Sequence, residues 1–374
     1  MNPQRKGWLD WLSERLVLTE IFSLLVSYGF FHAELDSSKP PREALAEAMA
    51  RPMPSYSAWP RVLGLAAVVL IGVEIFTGGL LTFYYSPTPE GAHASAATIL
   101  SEVHFGGFVH QVHYWGAQLL LAILALRVLR FFLQRVYRAP RELVWVFASL
   151  LLLVAFHAEL TGRILPWTGT AYWSGVRALE VVQTIPLYGG LVSFLSGTEG
   201  AVISELTLLR FYIFHVVLLP IAMLTLIYLH FSSIRRVGLD PSKVRASASD
   251  DGVTFRQHVV NLAILLTVLV AALVTLGVLA PRGLPAGAEP YATLPGVHPP
   301  WYLLAPFGFF EITASWLPRW LAGLVLLAAT TAFVLVPFWA RSLERRGGRL
   351  LLMVLAGVAV AVWLALTLYG TKVA

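Results

Sequence analysis

Four positions set the chemistry open to this chain. His113 and Arg127 lie 14 residues apart in one apolar segment, and His215 and His230 lie 15 apart in another. Fourteen residues of helix rise about 21 Å and return to nearly the same face. Two imidazoles facing each other from neighbouring membrane helices can hold a haem iron from both sides. His113 and His215 fall near the same end of their segments, so they form the ligand pair of one haem level. His230 marks a second level, where the residue at the matching position is Arg127. A guanidinium stays protonated and offers no lone pair, which makes it a very poor iron ligand. Arg127 suits a haem propionate instead, or extends along the membrane toward the headgroups. The second level therefore admits three readings: a five-coordinate haem, a differently ligated one, or none.

Glycines on the flanking segments fit a flat ring at these depths. Gly64 and Gly78, 14 residues apart on the preceding segment, let a planar group approach the backbone at two levels. Gly162 on the third segment does the same at the His113–His215 level, whereas the other level has Ala148 there.

The elements that must carry these residues are membrane helices. The chain is 57% hydrophobic and only 13% charged, with a mean hydropathy of +0.71, outside the range of ordinary soluble domains. Seven segments are long and apolar enough to span, near 60–85, 108–134, 142–165, 208–233, 257–280, 317–339 and 350–370. The expected fold is an all-α multi-pass membrane protein. It comprises a four-helix haem-binding bundle at 59–240 and a three-helix unit at 241–374, parted by the polar stretch 235–257. Residues 1–58 form an amphipathic N-terminal segment; 1–35 read as a charge-bearing surface helix with no cleavable signal pattern. The absence of cysteine excludes disulfides, iron–sulfur clusters and thioether-linked haem on this chain.

The net charge of +6 is no sign of nucleic-acid binding, because it follows the membrane. Most Lys and Arg lie before Arg61 and in 127–141, 235–256 and 341–349, while the loops 86–107, 166–206 and 282–316 hold Arg177, Arg282 and little else basic. The positive-inside rule then expects a cytoplasmic N-terminus and an external C-terminus, in a bacterial-type inner membrane. On this reading His113 and His215 form the outer level and His230 the inner one.

Ordered motifs along the chain resemble cytochrome b of the Rieske/cytochrome b complexes (bc1 and b6f), and most closely the chloroplast-type branch as a fused chain. WLDWLSERL is similar to that branch's surface helix, and EIFTGGLLTFYY to the end of its first span, with Glu74 where the family usually has Gln. HYWGAQLLLAILALRVLRFF resembles the second span, with Arg127 in place of its second His. RAPRELVWV and LTGRILPWTGTAYW match the entry and exit of the third, and LRFYIFHVVLLPIAMLTLIYLH the fourth. HPPWYLLAPF resembles the Pro-Glu-Trp-Tyr motif of the outer quinol site.

The resemblance implies haem b, at least at the outer level, and quinol as substrate. It implies an outer quinol-oxidising site built by the loop after LPW (167–182) and by Pro299, Pro300, Trp301 and Tyr302. The motif glutamate is Pro300 here, so Tyr172, Tyr302 and Glu311 are the alternatives for proton acceptor. His110 stands where the family usually has an arginine near the outer haem propionates. The cysteine that anchors an additional haem in the chloroplast-type branch corresponds to about Val62, so that link cannot form. Implied partners are a Rieske iron–sulfur protein, a c-type cytochrome or other acceptor, the quinone pool, membrane lipids and a second copy within a larger complex. Two other readings stand beside this one. The chain is a haem-poor scaffold subunit, or a single-haem cytochrome b passing electrons to a different membrane complex.

Overall fold

The computed structural model describes Trp8 and residues 41–50, 63–198, 200, 202–237, 254–292, 296–297, 299–345 and 348–373. The surface helix expected at 1–35 lies outside these residues apart from Trp8, as do Val62 and most of the polar stretch 235–257.

The described elements are helical; among them the one β contact is an isolated bridge between Thr168 and Gly287. After α1 (Pro41–Ala50), six helices are long and apolar enough to cross a membrane. They are α2 (Leu63–Thr82), α4 (Gly106–Leu133), α5 (Glu142–Ile164), α8 (Glu205–Val237), α9 (Val259–Leu279 of Phe255–Leu279) and α13 (Arg349–Val373). These answer six of the seven expected spans. The remaining one, 317–339, is a bent pair, α11 (Arg319–Val334) and α12 (Val336–Arg345), with a 72° turn between them. Pro337 explains the break. It has no N–H to give Phe333 and its ring crowds that carbonyl, yet it is well tolerated in the first turn of a new helix.

The segments between spans are more ordered than loops. They hold α3 (Pro89–Ser101), α6 (Gly169–Gln183), α7 (Tyr188–Ser196) and α10 (Leu304–Thr313). Thr88 and Thr168 cap α3 and α6 by accepting the Gly91 and Ala171 N–H groups, and a Ser204–Thr207 capping box starts α8.

The chain divides into two compact units. The first takes Met1–Phe76, Gln111–Leu153 and Ala222–Pro281. Its interior is lined by Leu70, Leu121, Leu124, Phe131, Val144 and Trp145. Lipid chains are as apolar as leucine, so such helices associate through close packing and polar contacts rather than through hydrophobic burial. Arg127 on α4 and His230 on α8 supply a polar contact of this kind, with Nη2 2.6 Å from Nε2.

The second unit takes Thr77–His110, Val154–Ile221 and Arg282–Ala374. Its core gathers Ile164, Trp167, Tyr172, Leu179, Ile203 and Leu208. Trp167 has φ +50°, a conformation costly for a bulky side chain. Backbone bonds hold it there: Ala288 N–H to the Trp167 carbonyl at 2.8 Å and Gly169 N–H to the Ala286 carbonyl at 2.9 Å. In this unit α10 and α13 touch backbone to backbone. A methyl group on Gly308 would stand 2.5 Å from the Leu366 carbonyl oxygen.

Candidate functional site

His113 belongs to the first unit, half-buried in α4. Its Nδ1 lies 3.1 Å from Glu74 Oε2 on α2. An ionised Glu74 accepts, which puts the ring proton on Nδ1 and the lone pair on Nε2. His215 belongs to the second unit, and its Nδ1 lies 2.9 Å from the Ala158 carbonyl oxygen and 3.3 Å from Thr161 Oγ1. A carbonyl can only accept, so here too Nδ1 donates and Nε2 carries the lone pair. This is the tautomer an iron-ligating histidine adopts, with its other nitrogen anchored on a carboxylate or a carbonyl. Each ring by itself thus presents the nitrogen that a b-haem iron takes.

The backbone around His215 is adapted to it. Residues Phe214–Leu218 form a π-turn inside α8, in which Leu219 N–H bonds to the Phe214 carbonyl. Pro220 accounts for it, since proline removes the hydrogen bond to Val216 and crowds its carbonyl. Gly162 on α5 leaves the space that the ring enters: a Cβ there would collide with the His215 imidazole. Sequence reasoning gave Gly162 to a haem plate, and in the structure its neighbour is the His215 ring.

The other level lies within the first unit and is built differently. Arg127 and His230 are 6% and 1% exposed, and Arg127 Nη2 lies 2.6 Å from His230 Nε2. A guanidinium only donates, so His230 Nε2 accepts, and the lone pair an iron would need is already engaged. The guanidinium also fills the gap beside Gly64, with Nη1 2.9 Å from where a Cβ would be. Phe131 completes the packing, its ring centroid 5.2 Å from the Arg127 Cζ and 5.9 Å from the His230 ring. The residues present at this level do not fit a haem: the ligand nitrogen and the glycine gap are both taken by Arg127.

His110, one turn before His113, is half-buried, and its Nδ1 has no hydrogen-bond partner among the described residues. Gly78 is also half-buried, near the end of α2.

The expected quinol-site residues all lie in the second unit. Tyr172 on α6 is buried edge-on against Trp167, with ring centroids 5.2 Å apart. Burial first, and then Tyr291, push its phenol above the usual tyrosine value, so it remains protonated at neutral pH. Pro300 is buried and precedes the 3₁₀ turn Trp301–Leu303. Tyr302 is buried against Phe156 at 5.6 Å, and Trp301 is 53% exposed. Glu311 is exposed on α10. Two bonds tie this region together. His93 Nε2 lies 2.8 Å from the Pro285 carbonyl oxygen, and the Tyr85 hydroxyl donates to the Leu165 carbonyl at 2.6 Å.

Sequence reasoning missed the Glu74–His113 pair, the π-turn and the packing of Arg127 on Gly64. An acidic residue at membrane depth was the available signal for the first, and a proline five residues after His215 for the second.

Residues 49–238 match the family described as Cytochrome b/b6/petB. Cytochrome b6 of Heliobacterium modesticaldum is 35% identical over 180 residues, 48% of this chain and 84% of that protein. The menaquinol:cytochrome c reductase cytochrome b subunit of Geobacillus thermodenitrificans is 30% identical over 230 residues, 62% of this chain and 96% of that protein. A chain in the structure titled Hyperthermophilic respiratory Complex III superposes with a TM-score of 0.73 at 26% identity, covering 88% of both chains. With half of its length matched to the family, and a relative at 30% identity covered almost end to end, the chain belongs to the cytochrome b/b6 family.

Proposed function

We propose that this chain is the cytochrome b subunit of a complex III-type quinol:cytochrome c reductase, carrying a single b haem. The observation that carries the redox reading is the matched pair of imidazole settings, His113 on Glu74 and His215 on Ala158, in a chain of this family. The pairing of the two histidines comes from their matching depth in the sequence. Haem b, when bound, supplies one-electron transfer at that level. The other haem level of the family is closed in this chain by Arg127 on His230.

Quinol oxidation is assigned to the second unit, at the outer face. Trp167, Tyr172, Pro300, Trp301 and Tyr302 frame the site, and the relatives named for menaquinol support menaquinol as the substrate. Tyr172, held as a neutral phenol, donates a hydrogen bond to the quinol ring rather than taking its proton. Glu311 is the one carboxylate among the three alternatives, and its exposure gives a proton a way out. The two quinol electrons divide: one goes to a Rieske-type iron–sulfur protein and on to a c-type cytochrome. The other goes to the b-haem level of His113 and His215, from which electrons return one at a time to a quinone. The N-terminus is cytoplasmic, and the functional form is a homodimer within the larger complex.

The closed level favours a second reading, a single-haem cytochrome b serving another membrane electron-transfer complex. Anaerobic addition of menaquinol to the purified complex separates the two. Haem reduction that requires a Rieske protein supports the first reading, and reduction without one supports the second. No reduction at all overturns the assignment of a quinol site.

A further inference from the structure

We propose that Glu74 is a positioning residue that sets the redox potential of the His113 haem, through its hydrogen bond to the ligand's distal nitrogen. The inference rests on the reading of His113 as an iron ligand. Two observations carry it, both within the first unit. The first is the pair itself: Glu74 Oε2 lies 3.1 Å from His113 Nδ1, with the side chains 14% and 22% exposed. An acidic side chain inside a membrane helix is costly and is retained where it has a partner and a task.

The second observation is that the helix carrying the ligand is built to admit the carboxylate. Gly116 follows His113 by three residues and so shares its face of α4. A Cβ on Gly116 would run into Glu74 Oε1, with Cδ at 3.3 Å and Leu273 Cδ2 on α9 at 3.7 Å. Any larger residue at 116 would force the Glu74 carboxylate to shift. The sequence HYWG thus supplies both the ligand and the space for its partner.

The electrostatic consequence has a definite sign. A carboxylate accepting the Nδ1 proton makes the imidazole a stronger donor through Nε2, and its negative charge offsets that of ferric iron. Both effects favour the oxidised state, so the potential is held low. His215 Nδ1 is anchored on the neutral Ala158 carbonyl instead. The two ligands are therefore unequal, and Glu74 is the source of the difference.

Glu74→Gln keeps the size of the side chain and a hydrogen-bond acceptor, and it installs the residue usual in the family. The test is a potentiometric titration of the b haem in the purified complex, alongside haem per chain, for the unaltered protein, Glu74→Gln and Gly116→Ala. The expected result is full haem content in Glu74→Gln with a reduction equilibrium shifted at least about tenfold toward ferrous, about 59 mV for one electron. Gly116→Ala, which displaces the carboxylate sterically, shifts it in the same direction. An unchanged potential in Glu74→Gln at full haem content overturns the inference while leaving His113 as ligand. Loss of haem from Glu74→Gln overturns it too, since Glu74 would then be holding the site together rather than tuning it. Absence of haem from the unaltered protein overturns the underlying reading of His113 itself.

Discussion

Replacing Arg127 by histidine should give this chain a second haem. In the unaltered protein the guanidinium donates to His230 Nε2 at 2.6 Å and lies 5.2 Å from the centre of the Phe131 ring. A hydrogen bond to a charged group contributes about 1.5–3 kcal/mol, and a desolvated cation–π contact roughly 0.5–2 kcal/mol. Without haem, Arg127→His loses both contacts, roughly 2–5 kcal/mol in sum, partly offset by relief of the buried guanidinium. With haem, the released His230 nitrogen and a facing imidazole supply the ligand pair, and the vacated space beside Gly64 admits the ring. The assay is haem per polypeptide by pyridine haemochrome after expression with excess haem, together with thermal unfolding. The expected outcome is a rise from one haem to two, with stability recovered only in the haem-loaded form. The reasoning is refuted if the unaltered protein already binds two. It is also refuted if folded Arg127→His keeps one haem and loses no stability.

Other substitutions probe the remaining parts of the account. Arg127→Ala should leave the single haem in place while lowering the unfolding temperature, because buried His230 Nε2 loses its donor; a drop in haem content would mean that Arg127 supports the other level. Gly162→Ala places a methyl group against the His215 ring, and a drop in haem affinity of about 10- to 100-fold is expected from a misplaced ligand, measured by haem titration of the apoprotein. Glu311→Gln should slow quinol oxidation about 10²-fold or more at unchanged haem content, whereas Tyr172→Phe should chiefly raise the quinol KM. The opposite ranking in steady-state assays would move the proton-accepting role to Tyr172.

The spans were legible because membrane helices advertise themselves. Twenty apolar residues have few alternatives, and a histidine or arginine inside them stands out at once. The bent pair after Arg319 was harder to read, because hydropathy counts Pro337 as one more residue while the backbone turns there. The short helices at 89–101, 169–183 and 188–196 were hidden within stretches that composition marks only as loops. Arg127 was visible as a departure. That its guanidinium reaches His230 and fills the space beside Gly64 depends on side-chain packing, which spacing does not encode. Glu74 was noticed as a substitution but not joined to His113, since the two lie on different helices and meet only through the fold.

On the single-haem proposal, one level of this cytochrome b holds a haem and the other is sealed by the chain itself. The most direct measurement is b haem per polypeptide in the purified protein and in His113→Ala, His215→Ala and His230→Ala. One haem in the unaltered protein, lost in the first two variants and retained in the third, is the predicted result. Two haems, or one that depends on His230, would contradict it.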